Sequence, residues 1–155
     1  MPHVWRAESG EAEVVAGLLL EFRDWLGRNR PSEESLAASV GRLIDAADTE
    51  YLIGSVGPGD EPAGVCQLRF RFGVWHAAPD CWLEDLFVRQ GERRSGLGAA
   101  LVEAALTRAR ARGCARVELD VNEANAAALA LYDRFGFGAH SDSFGGRDLL
   151  MRRPL

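Results

Sequence analysis

The segment Val88-Arg89-Gln90-Gly91-Glu92-Arg93-Arg94-Ser95-Gly96-Leu97-Gly98-Ala99 carries an apolar run into a long helical pattern through a basic, glycine-punctuated turn. The helix must open where Gly96 and Gly98 let the main chain come close to a ligand. First-turn N–H groups have no intrahelical partner and the helix dipole adds positive potential, so this turn suits an anion, and a diphosphate above all. A dinucleotide fingerprint would need a third glycine at position 101, where Leu101 stands, and a strand running straight into the first glycine. A Walker loop would need a lysine, but all 18 basic side chains are arginine. The lack of lysine also removes any Schiff-base or lysine general-base chemistry.

Residues 3–7 read as a strand. Ser9 reads as a helix N-cap with Glu11 and Glu13 behind it, and Val14, Val15, Leu18, Leu19, Phe22 and Trp25 form one apolar helical face to about residue 26. Pro31-Ser32-Glu33-Glu34 starts a second helix that ends near residue 47. A strand at 50–56 enters the turn Gly57-Pro58-Gly59-Asp60-Glu61-Pro62 and returns at 63–72, with Leu68, Phe70 and Phe72 on one face and Gln67, Arg69 and Arg71 on the other. After a loop at 73–80, a strand at 81–88 meets the basic turn. A helix then runs from about 96 to 112 with Gly113 as its stop, and a strand follows at 116–121. Asn125 caps a short helix that ends near Phe135, and two closing strands are expected at 139–141 and 148–153. The order β-α-α-β-β-β-α-β-α-β-β predicts an α+β fold, a central mixed, mostly antiparallel sheet flanked by helices, with one crossover around the helix after the basic turn. A length of 155 residues predicts one domain over 1–155.

A net charge of -5 lacks the clustered basic excess of a nucleic-acid binder, so no nucleic-acid partner is expected. With neither a long apolar span nor a basic start followed by an apolar segment, the expectation is a cytoplasmic protein with no membrane partner. Cys66, Cys81 and Cys114 form no CxxC pair and read as small buried hydrophobes. His3, His76 and His140 are scattered without ligand spacing, and no metal is expected.

Three patterns, Leu83-Glu84-Asp85-Leu86-Phe87-Val88, Arg93-x-x-Gly96-x-Gly98 and Asn125-x-x-Ala128-x-x-x-Tyr132-x-x-x-Gly136-Phe137, resemble the GNAT N-acetyltransferases in sequence and in separation. The first and third together are most similar to the spermidine/spermine acetyltransferases and their diamine- and thialysine-acetylating relatives. The resemblance implies the GNAT fold, acetyl-CoA as cosubstrate and no metal. Main-chain N–H groups of Arg94, Ser95, Gly96, Leu97, Gly98 and Ala99 would cradle the diphosphate, with charge from Arg93 or Arg94. Leu86, Phe87 and Val88 would pair with the pantetheine arm like an added strand, because in this family the signature strand and the next parallel strand splay apart. Asn125, first a helix cap, and Ala128 are carried over as secondary cofactor contacts.

For catalysis, the resemblance implies that Glu84 receives the amine proton through water and that Tyr132 hydrogen-bonds the cofactor sulfur. Strict alternation puts Glu84 on the face of Leu86 and Val88 and aims its rival, Asp85, at the other face. For the acceptor, the resemblance gives Trp25, with Glu84, a substrate-binding part: in the polyamine relatives the end of the first helix supplies an aromatic residue followed by an acidic one to hold a second ammonium, and Trp25 can play the aromatic part. Leu26 stands where the polyamine relatives carry an acidic residue, and Arg23, Arg28 and Arg30 lie nearby, so a polyamine would meet mixed charge. An amine that also carries a carboxylate, paired with one of these arginines or with Arg69 or Arg71, is the competing acceptor. The expected function is acetyl transfer to a primary amine of a small molecule by direct attack in a ternary complex. The alternatives are peptide or protein amines, or a noncatalytic acyl-CoA-binding regulatory module. By analogy with the family, the expected assembly is a homodimer formed through residues 141–155.

Overall fold

Strand β1 (His3–Arg6) leads through a 3-10 turn at Ser9–Glu11 into helices α1 (Ala12–Trp25) and α2 (Glu33–Ile44). Strands β2 (Thr49–Ser55), β3 (Gly64–Gly73) and β4 (Ala78–Val88) follow, then α3 (Leu97–Ala111), β5 (Arg116–Glu118) and α4 (Ala126–Arg134). The computed structural model describes residues 1–155, which divide into two compact units, Met1–Leu119 and Asp120–Leu155.

In the first unit the five strands form one sheet in the order β1-β2-β3-β4-β5, antiparallel except for the parallel β4–β5 pair that α3 connects. Strand alternation sorts the core into two layers. Tyr51, Ile53, Val65 and Phe87 pack with Val15 and Leu18 of α1 and with Leu36, Val40 and Ile44 of α2. On the other face Leu52, Cys66, Leu68, Phe70, Cys81 and Leu83 pack with Leu97, Leu101, Ala105 and Ala109 of α3. The mixed sheet with helices on both faces is the expected fold class.

Glu50, only 1% exposed, lies under the C-terminal end of α3. Arg108 donates to its carboxylate from Nε at 2.8 Å and from Nη2 at 2.6 Å, Arg112 donates from Nη1 at 3.3 Å, and Arg6 lies at 3.8 Å. Burial pushes the Glu50 pKa up, but the Arg108 hydrogen bonds and charge, helped by Arg6 and Arg112, outweigh it and hold the carboxyl below its usual value. A depressed folded pKa stabilises the fold above the ordinary carboxylate pKa, and this stabilisation is lost as pH falls through the folded value. We expect Glu50→Ala to lower the unfolding free energy by about 2–3 kcal/mol near neutral pH, below the range for a fully buried pair because the arginine ends reach solvent. Urea unfolding at a series of pH values tests this: the wild-type advantage should shrink as pH falls through the ordinary carboxylate range and then through the lower folded pKa of Glu50.

Local chemistry shifts several expected boundaries. Ser9 is not the cap: Glu8 stands at that position and forms a reciprocal capping box with Glu11. The loop expected at 73–80 contracts to a turn because β4 begins at Ala78 and pairs it with Gly73. Strand β5 stops at Glu118. In the second unit Asn122 Oδ1 accepts from Ala124 N at 2.8 Å, and Asn125 caps α4 by accepting from Ala128 N at 3.1 Å. The two closing strands are reduced to a single bridge, His140 to Arg147. A two-stranded ribbon is marginal unless it buries a face, and Leu149, Leu150 and Met151 are exposed.

Candidate active site

Pairing between β4 and β5 covers only Asp80–Arg116, Cys81–Val117 and Trp82–Glu118. From Leu83 to Val88 that edge of β4 has no strand beside it, so backbone groups of Leu86, Phe87 and Val88 border an opening in the sheet. Such an edge can take an extended ligand with amide groups. One acceptor there is engaged from within: Arg93 Nε donates to Val88 O at 3.2 Å.

Past Val88, Arg94 (φ 67°) and Gly96 (φ 87°) adopt left-handed backbone two residues apart and fold the main chain into a concave turn at the start of α3. Gly96 is the N-cap, and its conformation is one that side-chain-bearing residues adopt at a cost. The first intrahelical donor is Ala100, which bonds Gly96 O at 3.0 Å. The N–H groups of Gly98 and Ala99 precede it, while that of Leu97 reaches Ser95 Oγ at 3.3 Å. No acid lies in the first turn of α3. The turn expected from the sequence is therefore present, and its donors and geometry fit a diphosphate.

Arg93 also places its Cζ 4.4 Å from the centre of the Trp25 ring. Trp25 stacks on Phe22 at 6.1 Å and Phe22 on Phe87 at 5.1 Å, so an aromatic series runs from β4 along α1 and back to the basic turn. The proposed acceptor wall and the proposed phosphate-side arginine thus touch. Arg23, by contrast, is committed to Asp24 and to Pro31 O.

The β3–β4 register opposes Val65 to Phe87 and Gln67 to Glu84, so Asp85 and Leu86 together face Cys66 alone. Asp85 has φ 56°, which marks a β-bulge. The extra residue reverses the alternation and corrects the expected placement of Glu84. Leu86 and Val88 pack on the α3 side, whereas Glu84 lies with its cross-strand partner Gln67, and Gln67 with Tyr51, on the α1–α2 side. Glu84 is half-buried and Asp85 exposed. Burial first, and then the Asp85 charge, pushes the Tyr51 phenol up to about 12, so its hydroxyl stays protonated. Arg69, next to Gln67 on the same face and paired with Trp82, is half-buried. Sequence reasoning missed Gln67 and Tyr51 as neighbours of Glu84.

In the second unit, Gly136 N–H bonds Asp133 O at 3.0 Å and Phe137 N–H bonds Tyr132 O at 3.1 Å, a Schellman end that needs the left-handed φ of 82° at Gly136. It brings Phe137 edge-on to Tyr132 at 5.8 Å. Tyr132, 8% exposed, is held by this contact, and Asn125 fixes the start of its helix. The thiols offer no competing nucleophile: burial pushes the pKa of Cys66, of Cys81 (to about 12) and of Cys114 upward. No group of His, Cys, Asp and Glu side chains could hold a metal ion.

A mixed sheet thus opens beside a glycine turn whose backbone donors fit a diphosphate. Residues 14–137 match the model of the acetyltransferase (GNAT) family, and the chain belongs to that family. A solved structure described as an acetyltransferase from Arthrobacter sp. FB24 superposes with a TM-score of 0.86 at 31% identity, covering 100% of this chain and 96% of that one. Thialysine N-epsilon-acetyltransferase of Caenorhabditis elegans is 36% identical over 75 residues, 48% of this chain and 46% of that protein. Mycothiol acetyltransferase of Beutenbergia cavernae is 43% identical over 67 residues, 41% of this chain and 23% of that protein. The chain thus spans less than half the length of either of these curated relatives.

Proposed function

We propose that this protein is an acetyl-CoA-dependent N-acetyltransferase that acetylates a primary amine of a small molecule by direct attack in a ternary complex. The observation that carries this reading is the open edge of β4, which begins beside Glu84 and runs into the cradle at Arg94–Ala99. Acetyl-CoA supplies the activated acetyl group. The diphosphate is assigned to N–H groups of the cradle, the extended arm to Leu86, Phe87 and Val88, and charge to Arg93 and Arg94. Family correspondence adds Asn125 and Ala128 as cofactor contacts.

An amine attacks only once its nitrogen has lost a proton, and the departing thiolate needs one. Glu84 is assigned as the base, and Tyr132 as the donor to the sulfur, on the family match of their motifs. Trp25 is assigned to the acceptor wall. The acceptor class favoured is an amine that also bears a carboxylate, because Arg69 shares the face of Glu84. The likeness to the thialysine enzyme agrees with this choice. Release of CoA thiol across a panel of primary amines, with thialysine and spermidine included, tests the reading. Turnover of amino-acid amines ahead of polyamines is expected, and a panel without turnover would refute it.

Tyr132→Phe removes only the phenolic hydroxyl and keeps the ring on Phe137. Single-turnover acetyl transfer should slow by about one to three orders of magnitude, within the range for loss of a general acid, at unchanged acetyl-CoA affinity and melting temperature. Wild-type rates would return Tyr132 to a packing role.

A further inference from the structure

Gln67 presents a buried donor with nothing to bond. It is 3% exposed, and its side-chain Nε2 has no hydrogen-bond partner. A buried donor left unpaired is costly, so it calls for a partner from outside the protein. Its direct neighbours in the sheet are Tyr51 on β2 and Glu84 on β4, and directly opposed side chains in an antiparallel pair start only about 5 Å apart. The unmatched N–H therefore lies alongside the carboxylate assigned to remove the acceptor proton.

The chemistry of these groups selects what can stand between them. An ammonium only donates and cannot satisfy the amide N–H; a carboxylate only accepts and cannot release one to Glu84. Water does both. With one lone pair taken by Gln67 Nε2–H and the other by the ammonium N–H, both O–H groups of the water remain to donate, and one of them points at Glu84. The ammonium passes its proton to the water oxygen as that O–H passes its own to Glu84. The carboxylate becomes a carboxyl, the water is regenerated, and the nitrogen lone pair is freed for attack.

We propose that Gln67 is a positioning residue for this reaction, holding against Glu84 the water that takes the acceptor proton. The proposal rests on Glu84 as base. Nearby ionisable groups are Tyr51, whose hydroxyl stays protonated, Arg69 and Asp85.

Crystals of the acetyl-CoA complex provide the first test. A water within about 3.2 Å of both Gln67 Nε2 and a Glu84 carboxylate oxygen is expected in wild type and should be lost in Gln67→Met, which keeps the length of the side chain and removes the donor. Absence of that water, or Nε2 bonded to a protein acceptor instead, overturns the proposal. The second test compares the amine selected by the acceptor screen with its aminooxy analogue, whose nitrogen is already neutral at neutral pH. Gln67→Met should lower kcat/KM about 10–100-fold for the amine and within twofold for the analogue, with Kd for acetyl-CoA unchanged. Equal losses on both substrates would mean a structural role and sink the assignment. Glu84→Gln run in parallel separates the two claims. If it also fails to discriminate the substrates, the base assignment falls; if it discriminates and Gln67→Met does not, only Gln67 is overturned. Should Gln67→Met prove unfolded, Gln67→Leu replaces it under the same criteria.

Discussion

Gly96→Glu is expected to abolish measurable acetyl-CoA binding in a protein that still folds. Two effects act together at this position. A side chain at φ 87° costs about 1–2 kcal/mol, which reshapes the turn, and the added carboxylate stands where the diphosphate is proposed to be held. The fold itself has room for the change, because a Cβ built on Gly96 meets only Pro2 Cγ, at 3.8 Å. Charge repulsion therefore dominates, and Gly96→Ala isolates the strain: its affinity should fall about tenfold, the cost of 1–2 kcal/mol of backbone strain released into the turn. Gly96→Glu should weaken binding by more than about 100-fold. Titration calorimetry on both variants, each checked by circular dichroism and thermal melting, provides the measurement. Unchanged affinity in a folded Gly96→Glu protein would remove the cradle from cofactor binding.

The cradle was legible in sequence because its determinants are local. Glycine spacing, a preceding apolar run and a following helical period specify a strand–turn–helix without any knowledge of neighbours. Helix ends were legible for the same reason: Gly136 and Phe137 close α4 through bonds to Asp133 and Tyr132, all within six residues. This local closure also gives part of the third motif a purely structural function, since the glycine and phenylalanine after Tyr132 orient its ring whatever its hydroxyl does.

The geometry around Glu84 was not legible because it depends on register. Strict alternation set Asp85 between Leu83 and Phe87 on one face, a carboxylate between two core side chains, and that conflict was the available sign of a bulge. Aspartate is also among the few side-chain-bearing residues that visit left-handed backbone readily. Gln67 escaped notice for a related reason: a polar residue alternating with Leu68 and Phe70 reads as solvent-facing, yet helices α1 and α2 cover that face. At the C-terminus, alternation suggested two strands, but a strand also needs a face to bury, which no local pattern supplies.

The bulge gives Glu84→Gln its meaning. Without the extra residue, Glu84 would lie on the α3 side with Leu86 and Val88; with it, the carboxylate shares a face with Gln67, Tyr51 and Arg69 while the backbone of Leu86–Val88 still borders the opening. One strand can thus hold a ligand by its edge and a proton acceptor by its side chain. Glu84→Gln keeps the shape and removes the basicity, so kcat/KM for the amine should fall by about 10²–10⁴ while acetyl-CoA affinity stays within twofold. The loss should be greatest at low pH, where the acceptor arrives as ammonium, and should narrow as pH approaches the pKa of the amine and the neutral form arrives from solution. Asp85→Asn is the control, since asparagine also accepts the left-handed backbone of the bulge; its rate and profile should match wild type. Steady-state pH profiles for the three proteins decide between the carboxylates. A Glu84→Gln profile superimposable on wild type, with the loss appearing instead in Asp85→Asn, would move the base one residue along the strand and onto the bulge itself.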